Sequence, residues 1–191
     1  GLSPLADRTL VPFVQSADLI LCVGYDPVEM RPGWRDVWDP RQTRVIDITA
    51  EPNHHFMHQA SLPVVASIPA TLAAMSRGIT PVDTWRGGEI EALKSALAGA
   101  FPVDEDWGPA AIIDTCRTHL PQTTIATADS GAHRILLSQM WRCGFPRGLL
   151  QSSALCTMGC ALPLAMGTAL CVADSTVVSF SGDAGFLMIA G

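Results

Sequence analysis

The chain has 191 residues, and only 16% of them are charged, against the roughly 25% that is usual for soluble domains. Its formal net charge is −6 and it has no block of Lys and Arg, which argues against nucleic acid as a partner because nucleic acid selects a basic surface. Six cysteines without a CxxC pair are typical of reduced thiols, so we expect a cytoplasmic protein without disulfides or a zinc site.

Short apolar runs between polar segments dominate the first 80 residues. The segment at residues 18–24 is a short apolar run that ends in Gly24, which is typical of a parallel strand buried on both faces. Further strands are predicted at residues 44–48 and 62–66, and helices at residues 7–17 and 70–75. Because connecting segments separate these strands, the pattern predicts a parallel sheet with helices on its faces.

Residues 81–106 are rich in Gly, Pro and acidic side chains and surround one amphipathic helix predicted at residues 89–98. We interpret this stretch as a linker between a first domain, residues 1–80, and a second domain, residues 107–191. In the second domain the alternation of helices and strands restarts. Helices are predicted at residues 109–120 and 131–141, the second N-capped by Ser130, and strands at residues 123–127 and 176–181. The predicted fold class is α/β, with two doubly wound parallel-sheet domains.

Residues 148–173 carry no charged side chain, and such a run is long enough to span a bilayer about 30 Å thick. However, polar residues crowd its first half, Pro163 lies in its middle, and no Lys or Arg cluster flanks it. We therefore expect a buried helix at about residues 158–172 rather than a membrane span, and no membrane partner.

Two predicted strands of the second domain end in small and acidic residues, at 129–131 and at 182–185. Ligands of open α/β sheets bind at the carboxyl ends of strands, and a helix N-terminus there favours phosphate. Asp183 would suit a hard divalent cation that also binds phosphate oxygens. At this point Gly182-Asp183-Ala184-Gly185 is equally well read as a tight turn.

Three motifs then decide between these readings: GDAGFLM at residues 182–188, SSALCTMGCALPLAMG at 152–167, and DSGAH at 129–133. They resemble the thiamin diphosphate-dependent enzymes of the acetolactate synthase and pyruvate oxidase group, whose corresponding patterns are Gly-Asp-Gly/Ala, SGGLGTMGFGLPAAIG and D-x-G-Q-H. In the first domain, ADLILCVGYDPVE, RVIDI and PVVASIPATL follow the order of segments in the same enzymes. The GYDPVE loop is most similar to the flavin-free, catabolic type of acetolactate synthase. The resemblance thus implies a Rossmann-like central domain followed by a truncated thiamin diphosphate-binding domain, without FAD.

The resemblance also implies how the diphosphate end of the cofactor is held. Asp183 would bind Mg²⁺, and the metal would bridge the diphosphate oxygens. The backbone N–H groups of Ala184 and Gly185, next to Gly182, would hold the diphosphate, and His133 would reach it from the other strand end.

At the ring end, the resemblance implies that Met158 holds the two rings of the cofactor in a bent conformation. The backbone at Cys156 and Met158 would hydrogen-bond the pyrimidine edge. The chain departs from the family where Ala132 replaces Gln, and where Ala154 and Cys156 replace glycines. These two glycine replacements should reduce the freedom of the backbone beside the pyrimidine.

The chain begins at Gly1 without Met and ends at Gly191, so we expect a fragment. In the family, an Asn some 25 to 30 residues after the Gly-Asp motif completes the metal site, and a catalytic glutamate lies in an N-terminal domain of a second subunit. The resemblance therefore implies a homo-oligomer, no catalytic residue within these residues, and no activity of this stretch alone.

The implied reaction is decarboxylation of a 2-keto acid such as pyruvate and transfer of the two-carbon unit to a second keto acid. Two alternatives stay open: another thiamin diphosphate-dependent decarboxylase, oxidase or carboligase, and a non-catalytic nucleotide-binding α/β scaffold. His54, His55 and His58 lack a second pair of metal ligands and are interpreted as solvated or interface residues.

Overall fold

A computed structural model describes residues 4–27, 36–53, 57–104, 106–153 and 155–191. The chain divides into two compact units, Ser3–Leu97 and Ala98–Gly191. The described residues contain α-helices and two parallel sheets, which confirms the predicted α/β class. The assignment of residues 81–106 as a linker stays a prediction.

The first unit is built around a three-stranded parallel sheet of order β1-β2-β3. Its elements are α1 (Pro4–Gln15), β1 (Leu19–Val23), β2 (Arg44–Thr49), β3 (Leu62–Val65), α2 (Ile68–Met75) and α3 (Glu89–Gly99). The middle strand supplies the core of this unit, because Val45 and Ile48 of β2 are fully buried between the two outer strands.

The expectation that the first strand is buried on both faces is wrong. Leu19, Leu21 and Val23 are between 41% and 49% exposed, and Cys22 is the buried residue of β1. Because neighbouring residues of a strand point to opposite faces, these three side chains share one face of β1, and nothing in the described part of the chain covers that face fully. Burial raises the pKa of the Cys22 thiol to about 11, and the Asp47 carboxylate opposite it on β2 adds to the rise.

His58 is also not the solvated or interface residue that we expected. It is buried, and its Nδ1 lies 2.8 Å from the hydroxyl of Tyr25. The rings of Tyr25 and Trp38 pack beside the imidazole, with centroid distances of 5.7 and 4.9 Å. His58 is therefore a packed residue of the first unit, whereas His54 and His55 lie outside the described residues.

The second unit contains a three-stranded parallel sheet of order β5-β4-β6. Its elements are α4 (Pro109–His119), β4 (Ile125–Ala128), α5 (Ala132–Met140), β5 (Leu149–Gln151), α6 (Ala161–Cys171), β6 (Val177–Phe180) and α7 (Asp183–Ile189). All four residues of the central strand β4 are buried. Ala126 and Ala128 pack with Ile113 of α4 and Leu137 of α5, and the hydroxyl of Thr127 donates to the carbonyl of Ala161 in α6.

Helices therefore cover both faces of the second sheet, because neighbouring residues of a strand point to opposite faces. The chain leaves β4 for β5 on one side and then crosses back to β6 on the other side. The carboxyl ends of β4 and β6 are adjacent at this reversal, with Ala128 opposite Phe180. Ligands of doubly wound sheets bind at such reversals of strand order, so the candidate site is at this edge.

Three expectations about the second unit are corrected by the structure. Ser130 is not the N-cap of α5; Gly131 occupies that position, and the N–H of Ser130 is bound by the Asp129 carboxylate. Strand β5 was not predicted, because its three residues lie inside the uncharged run.

The third corrected expectation is the buried helix. In α6 only Ala161 and Ala165 are buried within the chain, while Met166 and Leu170 are 62% and 88% exposed. The sheet covers one face of α6, and the opposite face stays exposed within this chain. Because both faces are uncharged, the sequence predicted burial of the whole helix. Among the described residues, no helix has the length and apolar character that a bilayer crossing requires.

Candidate cofactor site

Asp129 lies at the centre of the candidate site, directly after β4, and is completely buried. Its Oδ1 accepts the N–H of Ser130 at 2.8 Å and the N–H of Cys160 at 3.2 Å. Its Oδ2 accepts the N–H of Gly159 at 2.9 Å. A buried carboxylate is stable only when its oxygens are paired in this way, so Asp129 fixes the turn that contains Gly159. The sequence motif included Asp129 but gave it no role.

Two glycines bring this turn against α7. Gly159 has φ +78°, and a Cβ there would lie 2.8 Å from Cγ2 of Ile189 and 3.1 Å from the carbonyl oxygen of Gly185. A Cβ at Gly185 would overlap the carboxylate of Asp129. Gly185 is buried, so internal packing alone requires a residue without a side chain there, whatever the position does for a phosphate.

The end of β6 presents Gly182 and the first turn of α7. Gly182 is the N-cap residue, and Asp183 and Ala184 follow it as exposed residues. The first N–H groups of a helix have no partner within the helix, and they attract anions. The described residues contain no group of three His, Cys, Asp or Glu side chains that could hold a metal. Mg²⁺ is usually bound in proteins by one or two carboxylates together with phosphates and water, and Asp183 is an exposed carboxylate at the start of α7.

The ring of His133 lies beside Gly182, the residue that precedes α7; its binding of a diphosphate stays a prediction. A Cβ at Gly131 would lie 2.9 Å from its Nδ1, and a Cβ at Gly182 would lie 3.4 Å from its Cε1. The ring lines a cleft of about 280 Å³ together with Ser181, Gly182 and apolar side chains of α4, α5 and β6. Its Nε2 is buried without a hydrogen-bond partner in the described part of the chain, and its Nδ1 and Cε1 are the ring atoms that face Gly131 and Gly182.

The segment 155–160 carries the predicted ring-end residues. Met158 is 44% exposed, and it precedes the glycine that Asp129 holds. Cys156 has φ +48°, in the left-handed region that glycine adopts without strain, which agrees with the loss of freedom expected there. Its Sγ lies 3.3 Å from Nη1 of Arg134. Ala154 lies outside the described residues, and Ala132 is the exposed first residue of α5.

Comparisons with known proteins agree with this geometry. Residues 129–191 match the family described as "Thiamine pyrophosphate enzyme, C-terminal TPP binding domain". The matched segment begins at Asp129 and includes His133, Met158 and Asp183. Residues 129–191 are therefore similar to the thiamin diphosphate-binding domain of this enzyme family.

Within that family, the chain is similar to acetolactate synthases. It is 30% identical to the acetolactate synthase of Bacillus subtilis (strain 168) over 93% of this chain and 32% of the relative. It is 28% identical to the catabolic acetolactate synthase of Raoultella terrigena over 91% of this chain and 32% of the relative. It is also 28% identical to the acetolactate synthase large subunit of Parasynechococcus marenigrum (strain WH8102), over 92% of this chain and 29% of the relative. The chain spans about a third of the length of these relatives.

Proposed function

We propose that the protein containing this chain is a thiamin diphosphate- and Mg²⁺-dependent enzyme of the acetolactate synthase type. It decarboxylates a 2-keto acid such as pyruvate and transfers the two-carbon unit to a second keto acid, as a transferase and lyase. One observation carries the proposal: the ring of His133, whose Nε2 has no hydrogen-bond partner among the described residues, lies against Gly182. Gly182 follows the end of β6, which is adjacent to the end of β4, and it directly precedes Asp183.

At this edge the residues of the chain bind and orient the cofactor. Asp183 supplies the carboxylate oxygen for Mg²⁺, and the N–H groups at Ala184 and Gly185 face the diphosphate at the start of α7. Gly182 would leave room for the diphosphate beside His133, whose Nδ1 and Cε1 face that glycine. A negatively charged diphosphate is thereby held by a metal, a helix N-terminus and a ring nitrogen.

At the other end, Met158 contacts the rings, and its position is fixed through Gly159. The backbone at Cys156 and Met158 pairs with the polar edge of the pyrimidine. Bound thiamin diphosphate supplies the carbanion chemistry that decarboxylation of a 2-keto acid requires. The protein contributes position and exclusion of water, and the uncharged segment 148–173 suits that second task.

The proposal includes a second subunit and a location. The enzyme is a cytoplasmic homo-oligomer in which another subunit supplies the catalytic glutamate, and this stretch alone has no activity. Exposed apolar side chains of the second unit support a covering partner, among them Leu155, Met166, Leu170 and Leu187. Surfaces of this kind usually mark interaction sites.

Calorimetric titration of the full-length protein with thiamin diphosphate, with and without Mg²⁺, tests the proposal. We expect binding that needs Mg²⁺, and at least about 100-fold weaker binding in Asp183→Ala because the metal loses its carboxylate. Asp174→Ala is the matched control, since Asp174 is an exposed carboxylate in the loop before β6. No binding by the wild type, or equal binding by Asp183→Ala, would overturn the proposal and favour a non-catalytic scaffold.

Product analysis with pyruvate then separates members of the family. Acetolactate formation is expected. Release of CO₂ with acetaldehyde as the product, or oxidation to acetate, would instead indicate a decarboxylase or an oxidase that uses the same cofactor.

A further inference from the structure

Asp129 touches three segments of the second unit at once. Its carboxylate accepts N–H groups of the next residue and of the turn at Gly159 and Cys160, and it lies against Gly185 in the first turn of α7. The turn is the ring end of the proposed site, because Met158 precedes Gly159. The first turn of α7 is its diphosphate end. One buried side chain therefore connects the two ends.

The surroundings of Asp129 fit a carboxylate and not its amide analogue. All three backbone groups donate, so both oxygens must accept, whereas an amide would direct its NH₂ group at one or two of these donors. Cys160 is the N-cap residue of α6, and the positive end of a helix dipole favours an anion there. A fully buried charge is costly unless such partners surround it, which indicates that the position is built around the anion.

We propose that Asp129 is a positioning residue that holds the Met158 turn at a fixed distance from the first turn of α7. This inference rests on the proposed function. Asp129 does not touch the cofactor; it acts through the backbone of Gly159 and through Gly185. Its effect is therefore largest for a ligand that occupies both ends of the site at the same time.

The test compares two probes on the full-length protein: intact thiamin diphosphate and inorganic pyrophosphate, each with Mg²⁺. In Asp129→Asn we expect the dissociation constant for thiamin diphosphate to rise on the order of 10- to 100-fold. The reason is that the NH₂ group of Asn would face a backbone N–H group, so that a charge-assisted hydrogen bond is lost and two donors point at each other. The constant for pyrophosphate, which fills one end, should change less than about threefold. Asp114→Asn is the matched control, because Asp114 is an exposed carboxylate in α4.

An equal loss of affinity for the two probes would overturn the proposal, since general damage to the fold affects the binding of both. Unchanged binding of thiamin diphosphate by Asp129→Asn would also overturn it. If the wild type itself binds no thiamin diphosphate, the proposed function fails instead. Should Asp129→Asn not fold, amide hydrogen exchange in the ligand-free wild type decides. The N–H groups of Gly159 and Cys160 should exchange at least about 100-fold more slowly than unstructured amides, and unprotected exchange would refute their attachment to Asp129.

Discussion

Gly185→Ala should destabilise the second unit, whereas the same substitution at Gly167 should stabilise it. Both residues lie inside helices, α7 and α6, where Ala is intrinsically better than Gly by about 1 kcal/mol. A Cβ at Gly167 meets nothing within 4 Å, so the helical preference remains as a gain of about 0.5–1 kcal/mol.

At Gly185 the new methyl group would overlap the Asp129 carboxylate. Asp129 cannot move away without losing the hydrogen bonds from Gly159 and Cys160, and each bond to a charged group is worth about 1.5–3 kcal/mol. Overpacking of a well-filled interior adds about 1–3 kcal/mol. If one of these two hydrogen bonds is lost and the helical gain is subtracted, we expect a net loss of about 2–5 kcal/mol in the free energy of unfolding.

Urea denaturation followed by circular dichroism measures both changes as shifts of the unfolding midpoint at constant slope. The two variants serve as controls for each other, because the chemical change is identical. If Gly185→Ala were as stable as the wild type, the contact between Asp129 and the first turn of α7 would be misplaced, and the link between the two ends of the site would be refuted.

Three further substitutions test other contacts. The free energy of unfolding should fall by at most about 2 kcal/mol between pH 9 and 11, because the unfolded Cys22 thiol ionises near its ordinary pKa of 9.0 and the folded thiol has a pKa of about 11. Urea titrations should show this loss in the wild type but not in Cys22→Ala. Cys156→Gly should be more stable than Cys156→Ala by about 1 kcal/mol in thermal melts, the reverse of the order in helices, because φ is +48°. Thr127→Val should cost about 1 kcal/mol through the lost hydrogen bond to Ala161, whereas Thr115→Val on the exposed face of α4 should change stability by less than about 0.5 kcal/mol.

Much of the fold could be predicted from local patterns. The β-branched runs located β2 and β6 to within one or two residues, and α2 and α4 begin within two residues of their predicted starts. Local patterns do not state which strands pair, however. The apolar run of β1 predicted burial on both faces although one face is exposed, and the short β5 has no boundary signal inside an uncharged run.

For the candidate site, the motifs predicted which residues belong to it but not which contacts support them. His133 and Gly182 were expected at neighbouring strand ends, and they do lie together. The part played by Asp129 could not be predicted, because its partners Gly159 and Cys160 are 30 and 31 residues away and only the folded sheet brings them close. For the same reason, the packing requirement at Gly185 was invisible in the sequence.

The reach of Asp129 along the chain also has a consequence for folding. Closing a loop of 30 residues costs about 3 kcal/mol in chain entropy, and the bond to Gly159 repays that cost only after β4 and the turn have met. Contacts of such sequence separation slow the folding of a domain, because the loop entropy is lost before they form. The second unit should therefore acquire its ring-end turn at the same step in which its sheet and α7 consolidate, so that no partly folded species holds a preformed cofactor site.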